Sequence, residues 1–297
     1  MANVKDWIEG ARLRTLPAAV APVLAGTGIA LSLDRGSIVR ALLAAAVALL
    51  FQIGVNFSND YSDGIRGTDD VRTGPPRLTG GGKATPRTVK LAAFACFGLG
   101  CLTGLILVAV SGTWWLIVAG ALSVVAAWFY TGGKSPYGYM GLGEIFVFVF
   151  FGLVATAGTT YTQALQVPWQ TWLAACSIGL LACALLMVNN IRDIPTDSVT
   201  GKNTQAVRLG DTKARLAYDA MLVLPFIFAL AYLPALGWPL LVCLLPAAVL
   251  TERNIERIHG LGKQQRAHGL ALIPVLRDTG FIELLYALGL FAAFAIS

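Results

Sequence analysis

Nine stretches of about 20 mostly apolar residues follow one another along the chain, each long enough to cross a hydrocarbon core about 30 Å thick as an α-helix. They are centred near Ala25, Val47, Cys101, Leu122, Phe150, Ala182, Phe228, Leu244 and Leu288. Inside a bilayer only helices and closed barrels satisfy their own backbone groups. The expectation is therefore an all-α, polytopic membrane protein, a nine-transmembrane-helix bundle forming a single membrane domain over residues 1–297. Composition agrees, with 13% charged and 56% hydrophobic residues and a mean hydropathy of +0.69, against roughly 25% charged in soluble domains. The segment Val118 to Tyr130 is the tightest fit. Leu16 to Leu33 follows a stretch of mixed charge, has no convincing small-residue cleavage site after it, and reads as a retained first helix.

Alternating the nine spans puts Lys5, Arg12 and Arg14 on one side with Arg66 to Lys90, Lys134, Arg192 to Arg215 and Arg253 to Arg277. Of the 22 Lys and Arg, only Arg35 and Arg40 fall opposite. The positive-inside rule then places the amino end in the cytoplasm and the carboxyl end outside. The net charge of +6 reads as a topology signal and an attraction to anionic membrane lipid. No recognition motif gathers the basic residues, so no nucleic acid is expected as a partner.

Cys96, Cys101, Cys176, Cys183 and Cys243 all lie in expected spans without CxxC spacing, which implies packing and no disulfide framework or zinc. His259 and His268 stand apart in the last cytoplasmic loop and read as solvated. Length accumulates on the cytoplasmic side, where ordered loops carry function. Gly64 to Pro86 is rich in Gly and Pro and is interrupted by Arg66, Arg72, Arg77 and Lys83, a spacing suited to anion contacts.

The few intramembrane carboxylates are a functional hypothesis by default. Asn59-Asp60-Tyr61-Ser62-Asp63, with Asp69, closes the second span, and Asn189-Asn190-Ile191-Arg192-Asp193, with Asp197, closes the sixth. Residues at i and i+4 share a helix face. Asn59 with Asp63, and Asn189 with Asp193 and Asp197, thus form two matched columns of oxygen ligands, with Asp60 within reach of Asp63 and Asp69 returning through Gly64 to Gly67. Such carboxylates repel one another, and a divalent cation is the natural counter-charge. Asp, Asn and backbone oxygens favour Mg²⁺, completed by substrate phosphate oxygens. Helix caps and solvated loops explain one such cluster, but less readily two on one face.

These residues carry a resemblance. Asn59-Asp60-x-x-Asp63 with Gly67-Thr68-Asp69, and Asn189-Asn190-x-Arg192-Asp193-x-x-x-Asp197, resemble the two aspartate-rich motifs of the UbiA-type intramembrane prenyltransferases. Asn189 to Gly210 and Tyr130 to Glu144 are similar to the branch of that superfamily that prenylates 1,4-dihydroxy-2-naphthoate in menaquinone biosynthesis. The order of spans and loops agrees over essentially the whole chain. The common spacing puts the third acidic residue where this chain has Gly67, so the role passes to Asp69, which argues against a 4-hydroxybenzoate enzyme.

The resemblance implies a central cavity opening laterally to lipid in the cell inner membrane, with its metal cluster capped by cytoplasmic loops. A polyprenyl diphosphate would ionise there against Mg²⁺ held by Asn59, Asp63, Asp69, Asp193 and Asp197, with Asp60 and Asn189 as additional ligands. Arg72, Arg77, Arg192 and Lys202 are candidates for the diphosphate clamp, and Lys134 for the diphosphate or the acceptor's carboxylate. Tyr130 and Tyr137 are the best-placed faces for the allylic cation. Tyr139, Phe146, Phe148, Phe150 and Phe151 read as packing, and Glu144 as a weak acid or base candidate. The implied product is demethylmenaquinone, formed with loss of CO₂ and diphosphate. Two other classes compete. Asp60-x-x-Asp63-Gly64 opens the signature of CDP-alcohol phosphotransferases, but Ile65-Arg66-Gly67 does not continue it. A cation-coupled transporter would hold its carboxylates near the bilayer midplane, whereas here they gather at one interface.

Overall fold

The computed structural model describes residues 2–67, 77–261 and 265–297, so Asp69 and Arg72 lie outside the described residues. Among those described, all regular structure is helical: α1 (Val4–Gly10), α2 (Pro17–Ser32), α3 (Ile38–Ile65), α4 (Pro86–Ser111), α5 (Leu116–Phe129), α6 (Gly143–Val147), α7 (Ala155–Ala164), α8 (Trp169–Thr200), α9 (Gln205–Ala229), α10 (Leu233–Leu236), α11 (Pro239–His259) and α12 (Leu272–Ala295). Among the described residues six helices are long and apolar enough to cross a membrane, or seven when the pair Val4–Thr15 and Pro17–Ser32, bent by 46°, counts as one span. This is a multi-pass membrane protein.

The nine expected runs are thus not equal as helices. At 14 residues, α5 is about 21 Å long and falls short of the core thickness. In α11 the last turns carry Glu252, Arg253, Glu256 and Arg257, which shortens its apolar part. The first run, Leu16 to Leu33, is the single helix α2, and the chain ahead of it bends where Arg12 adopts a left-handed conformation (φ 53°) before Pro17 opens α2. Proline suits a first helical turn because its missing N–H would lack a partner there anyway.

The bundle is built around α8 and α12, whose apolar windows are 72% and 61% buried while the other spans reach a third or less. A helix that is apolar on every face belongs in such an interior. Ile178, Leu181, Met187 and Val188 of α8 pack there with Tyr218, Leu222, Tyr286 and Leu290. Between α6 and α7 the chain forms a π-helical segment, Phe148–Val154, laid against α8. The contact needs glycine: a Cβ on Gly152 would stand 2.6 Å from the Cα of Gly179.

Some polar groups in the bundle find partners, whereas both carboxylate oxygens of the buried Glu283 have no hydrogen bond. Asn254 donates to Tyr218 and to the carbonyl of Val275, and Arg40 donates to the carbonyls of Thr162, Gln163 and Val110 where α7 and α4 end. All five cysteines are free thiols. His259 is not a solvated loop residue, because α11 continues through it and brings Nε2 within 2.6 Å of Asp219 Oδ2. His268 is an exposed loop residue, as expected, with its Nδ1 3.4 Å from Arg215 Nη2.

Candidate active site

The ends of α3 and α8 carry the two motifs to one cavity of about 720 Å³, whose lining includes Asn59, Asp60 and Asp63 from α3 and Asn189, Asp193 and Asp197 from α8. Five of them are buried and Asn189 is partly exposed. Gly201 (φ 77°) ends α8 in the left-handed conformation that glycine adopts without strain, and the amide of Lys202 turns back onto the carbonyl of Asp197. That reversal brings the Lys202 ammonium to Asp63, 3.3 Å away.

Each residue of the α3 motif holds a different part of the site. Asn59 Oδ1 accepts from the Thr131 hydroxyl at 2.9 Å. Asp60 accepts the backbone N–H groups of Leu78 and Thr79 at 2.9 and 2.8 Å. Asp63 accepts from the Tyr139 hydroxyl at 2.6 Å, as well as from Lys202. The α8 motif is more self-contained. Arg192 grips Asp193 with Nε and Nη2 at 2.7 and 2.6 Å and gives Nη2 to Asn189 at 2.9 Å. Asn190 donates to Glu144 at 3.2 Å, joining α8 to α6.

Lys202 is a cation set between the motifs. Its burial opposes charge, but Asp63, Tyr139 and Asp197 outweigh that effect and hold the ammonium above its ordinary range. Its Nζ lies 4.6 Å from the centre of the Tyr139 ring, which also has the Arg66 guanidinium 5.4 Å away. Arg66 donates to the carbonyls of Thr131 and Gly133. Tyr139, read from sequence as packing, is therefore a tyrosine that touches the Asp63 carboxylate. Nothing in its spacing along the chain marks it for that role. Only the short helix Tyr137–Met140 brings its hydroxyl to the α3 tip.

The other sequence candidates divide. Arg77 and Arg192 line the cavity. Lys134 is exposed and absent from the lining, because Gly133 (φ 77°) turns the chain outward ahead of it. Lys83 pairs with Asp6 at 2.6 Å and Glu9 at 3.8 Å instead of facing the site. Asp60, expected as a ligand, has both oxygens on the backbone of the 77–83 segment. Tyr130 and Tyr137 line the cavity with their rings 5.5 Å apart, and Tyr137 stacks on Phe146 at 3.9 Å. The Tyr137 hydroxyl donates to the Ala126 carbonyl, and burial pushes the phenol up.

Away from this polar end the cavity is apolar, walled by residues such as Val23, Phe51, Leu107, Ile117, Phe150 and Val154. Gly120 and Gly158 also line it, and a Cβ on either would meet nothing within 4 Å. The space thus suits a ligand with an anionic head and a long hydrocarbon tail.

The sequence matches the UbiA prenyltransferase family over residues 19–272. It is similar to the 1,4-dihydroxy-2-naphthoate octaprenyltransferase of Mycobacterium tuberculosis, 50% identical over 296 residues that cover 99% of this chain and 98% of that one. It is also similar to the protein of the same name from Escherichia coli K12, 37% identical over 307 residues, with 98% and 96% covered. In fold it is similar to a UbiA homolog from Archaeoglobus fulgidus bound to GPP and Mg²⁺, with a TM-score of 0.70 at 15% identity, covering 98% of this chain and 99% of that one. The chain belongs to the UbiA prenyltransferase family.

Proposed function

We propose that this protein transfers a polyprenyl group from its diphosphate to 1,4-dihydroxy-2-naphthoate, releasing diphosphate and CO₂ and giving demethylmenaquinol, the reduced form of demethylmenaquinone, for menaquinone biosynthesis. The observation that carries this reading is the meeting of two carboxylate-bearing helix ends at the polar mouth of an otherwise apolar cavity. The full-length similarity to enzymes named for that reaction supports the choice of acceptor. The topology proposed with it is nine membrane segments, with the amino end and the site on the cytoplasmic face of the inner membrane, in keeping with the distribution of Lys and Arg.

The donor atoms offered at the mouth by the two motifs are oxygens, which fits a hard divalent cation such as Mg²⁺. Asn59, Asp63, Asp193 and Asp197 would hold it, together with Asn189 and with Asp69, which lies outside the described residues. Bound there, the ion would neutralise the leaving diphosphate as a Lewis acid.

The chain's own groups account for the rest. Lys202 and Arg77 supply positive charge to the diphosphate, while Arg192 keeps the Asp193 carboxylate oriented. As the allylic C–O bond breaks, both electrons leave with the diphosphate, and the faces of Tyr130 and Tyr137 stabilise the cation. The carboxyl-bearing ring carbon supplies the pair for the new C–C bond. The pair of the broken C–carboxylate bond returns to the ring as CO₂ departs, so an ionised carboxylate needs no added base or oxidant. Apolar walls exclude the water that would otherwise trap the cation.

The test is an assay of purified protein with octaprenyl diphosphate and a panel of aromatic acceptors. Diphosphate release that requires Mg²⁺ and the dihydroxynaphthoate supports the reading. Equal turnover of 4-hydroxybenzoate, or release without any acceptor, overturns the assignment of acceptor. A second expectation concerns the tail. Gly158→Phe or Gly120→Phe fills open cavity, so kcat/KM for an eight-unit donor should fall at least about tenfold relative to a two-unit donor, the scale of a lost or blocked hydrophobic contact. An unchanged ratio would remove those positions from the path of the chain.

A further inference from the structure

We infer that Asp60 is a positioning residue that clasps the 77–83 segment over the cavity mouth, and not a metal ligand; this rests on the function proposed above. Asp60 borders the cavity yet is 0% exposed, so its oxygens are covered while the segment stays in place. Its two oxygens take the N–H groups of Leu78 and Thr79, charge-assisted bonds of the stronger kind.

Packing docks the segment as well. Leu78 is buried against Phe57, Val89 and Ala93, with Trp7 of α1 alongside. Two glycines permit the approach: a Cβ on Gly10 would stand 2.6 Å from Leu78 Cδ1, and one on Gly64 would stand 2.5 Å from Thr79 Cγ2. At the far end Lys83 is held by Asp6 and Glu9 of α1. This clasp leaves Arg77, at the start of the segment, in the cavity lining. The carboxylate beside Asn59 therefore serves the donor's diphosphate through the loop that carries Arg77.

The test compares Asp60→Asn and Leu78→Ala with the unaltered protein in detergent, by three readouts. Limited trypsin cleavage after Arg77 and Lys83 should become at least about tenfold faster in both variants, since a charge-assisted bond or a buried leucine is worth at least that factor. Mn²⁺ affinity, read by electron paramagnetic resonance in the presence of inorganic diphosphate, should stay within about twofold of the unaltered protein, far less than loss of a direct ligand costs. KM for the polyprenyl diphosphate should rise about tenfold, as for loss of one charged contact, with kcat and the acceptor KM nearly constant. Weakened Mn²⁺ binding in Asp60→Asn but not in Leu78→Ala would overturn the clasp and make Asp60 a ligand. Unchanged cleavage in both variants would overturn it as well. Absence of Mn²⁺ binding and turnover in the unaltered protein would instead count against the proposed function, which keeps the two failures distinguishable.

Discussion

Asp63→Ala and Asp193→Ala are each expected to lower turnover by about a thousandfold or more, the scale on which removing one preorganised charge-stabilising group acts. The two carboxylates stand at the tips of different helices, yet line one cavity. If the tips act jointly on one diphosphate, neither can substitute for the other, and the double variant should be little worse than either single one. Folding should survive at Asp63, because α3 is held at that end by the bonds of Asn59 and Asp60 as well, and Lys202 can extend its ammonium toward water when its partner is lost. Steady-state turnover, alongside size-exclusion profiles of the purified variants, separates a dead site from a misfolded chain. Additive losses, each of only a few-fold, would mean that the tips work independently.

Arg192→Ala is expected to have the largest effect on stability, about 3 kcal/mol or more, because removing one partner of a buried ion pair leaves the other charge uncompensated. Arg192 is 5% and Asp193 8% exposed, and the guanidinium makes three bonds within the α8 motif. Arg192→Lys should recover only part of the loss, since an ammonium does not reproduce the planar two-pronged contact. Thermal unfolding in detergent reads the change. Full stability in Arg192→Ala would show that the pair is solvated and that Asp193 has another partner.

Much of this was legible from residue order. The apolar runs name a membrane protein, and four-residue spacing at Asn59/Asp63 and Asn189/Asp193 names two matched faces that the fold brings to one cavity. What the order could not give depends on which group comes back to meet the motif. Asp60 reads as a third ligand in a linear pattern, but the loop after α3 returns two backbone amides to it. Tyr139 is one aromatic among many until the short helix near the α3 tip sets its hydroxyl on Asp63. Lys134 has the right charge, yet Gly133 turns it away. His259 looks solvated until α11 is seen to run on beside α9 and Asp219. Span boundaries are hidden for a similar reason: a hydropathy window averages over the charged end of α11 and does not register the bend at Arg12 ahead of α2.

The most direct test is an experimental map of the protein with Mg²⁺ and a non-hydrolysable polyprenyl diphosphate analogue. The account predicts one diphosphate at the cavity mouth, touched through the ion by Asp63 of α3 and by Asp193 or Asp197 of α8, with its tail along the apolar walls. A diphosphate bound by one helix end alone, or held outside this cavity, would contradict it.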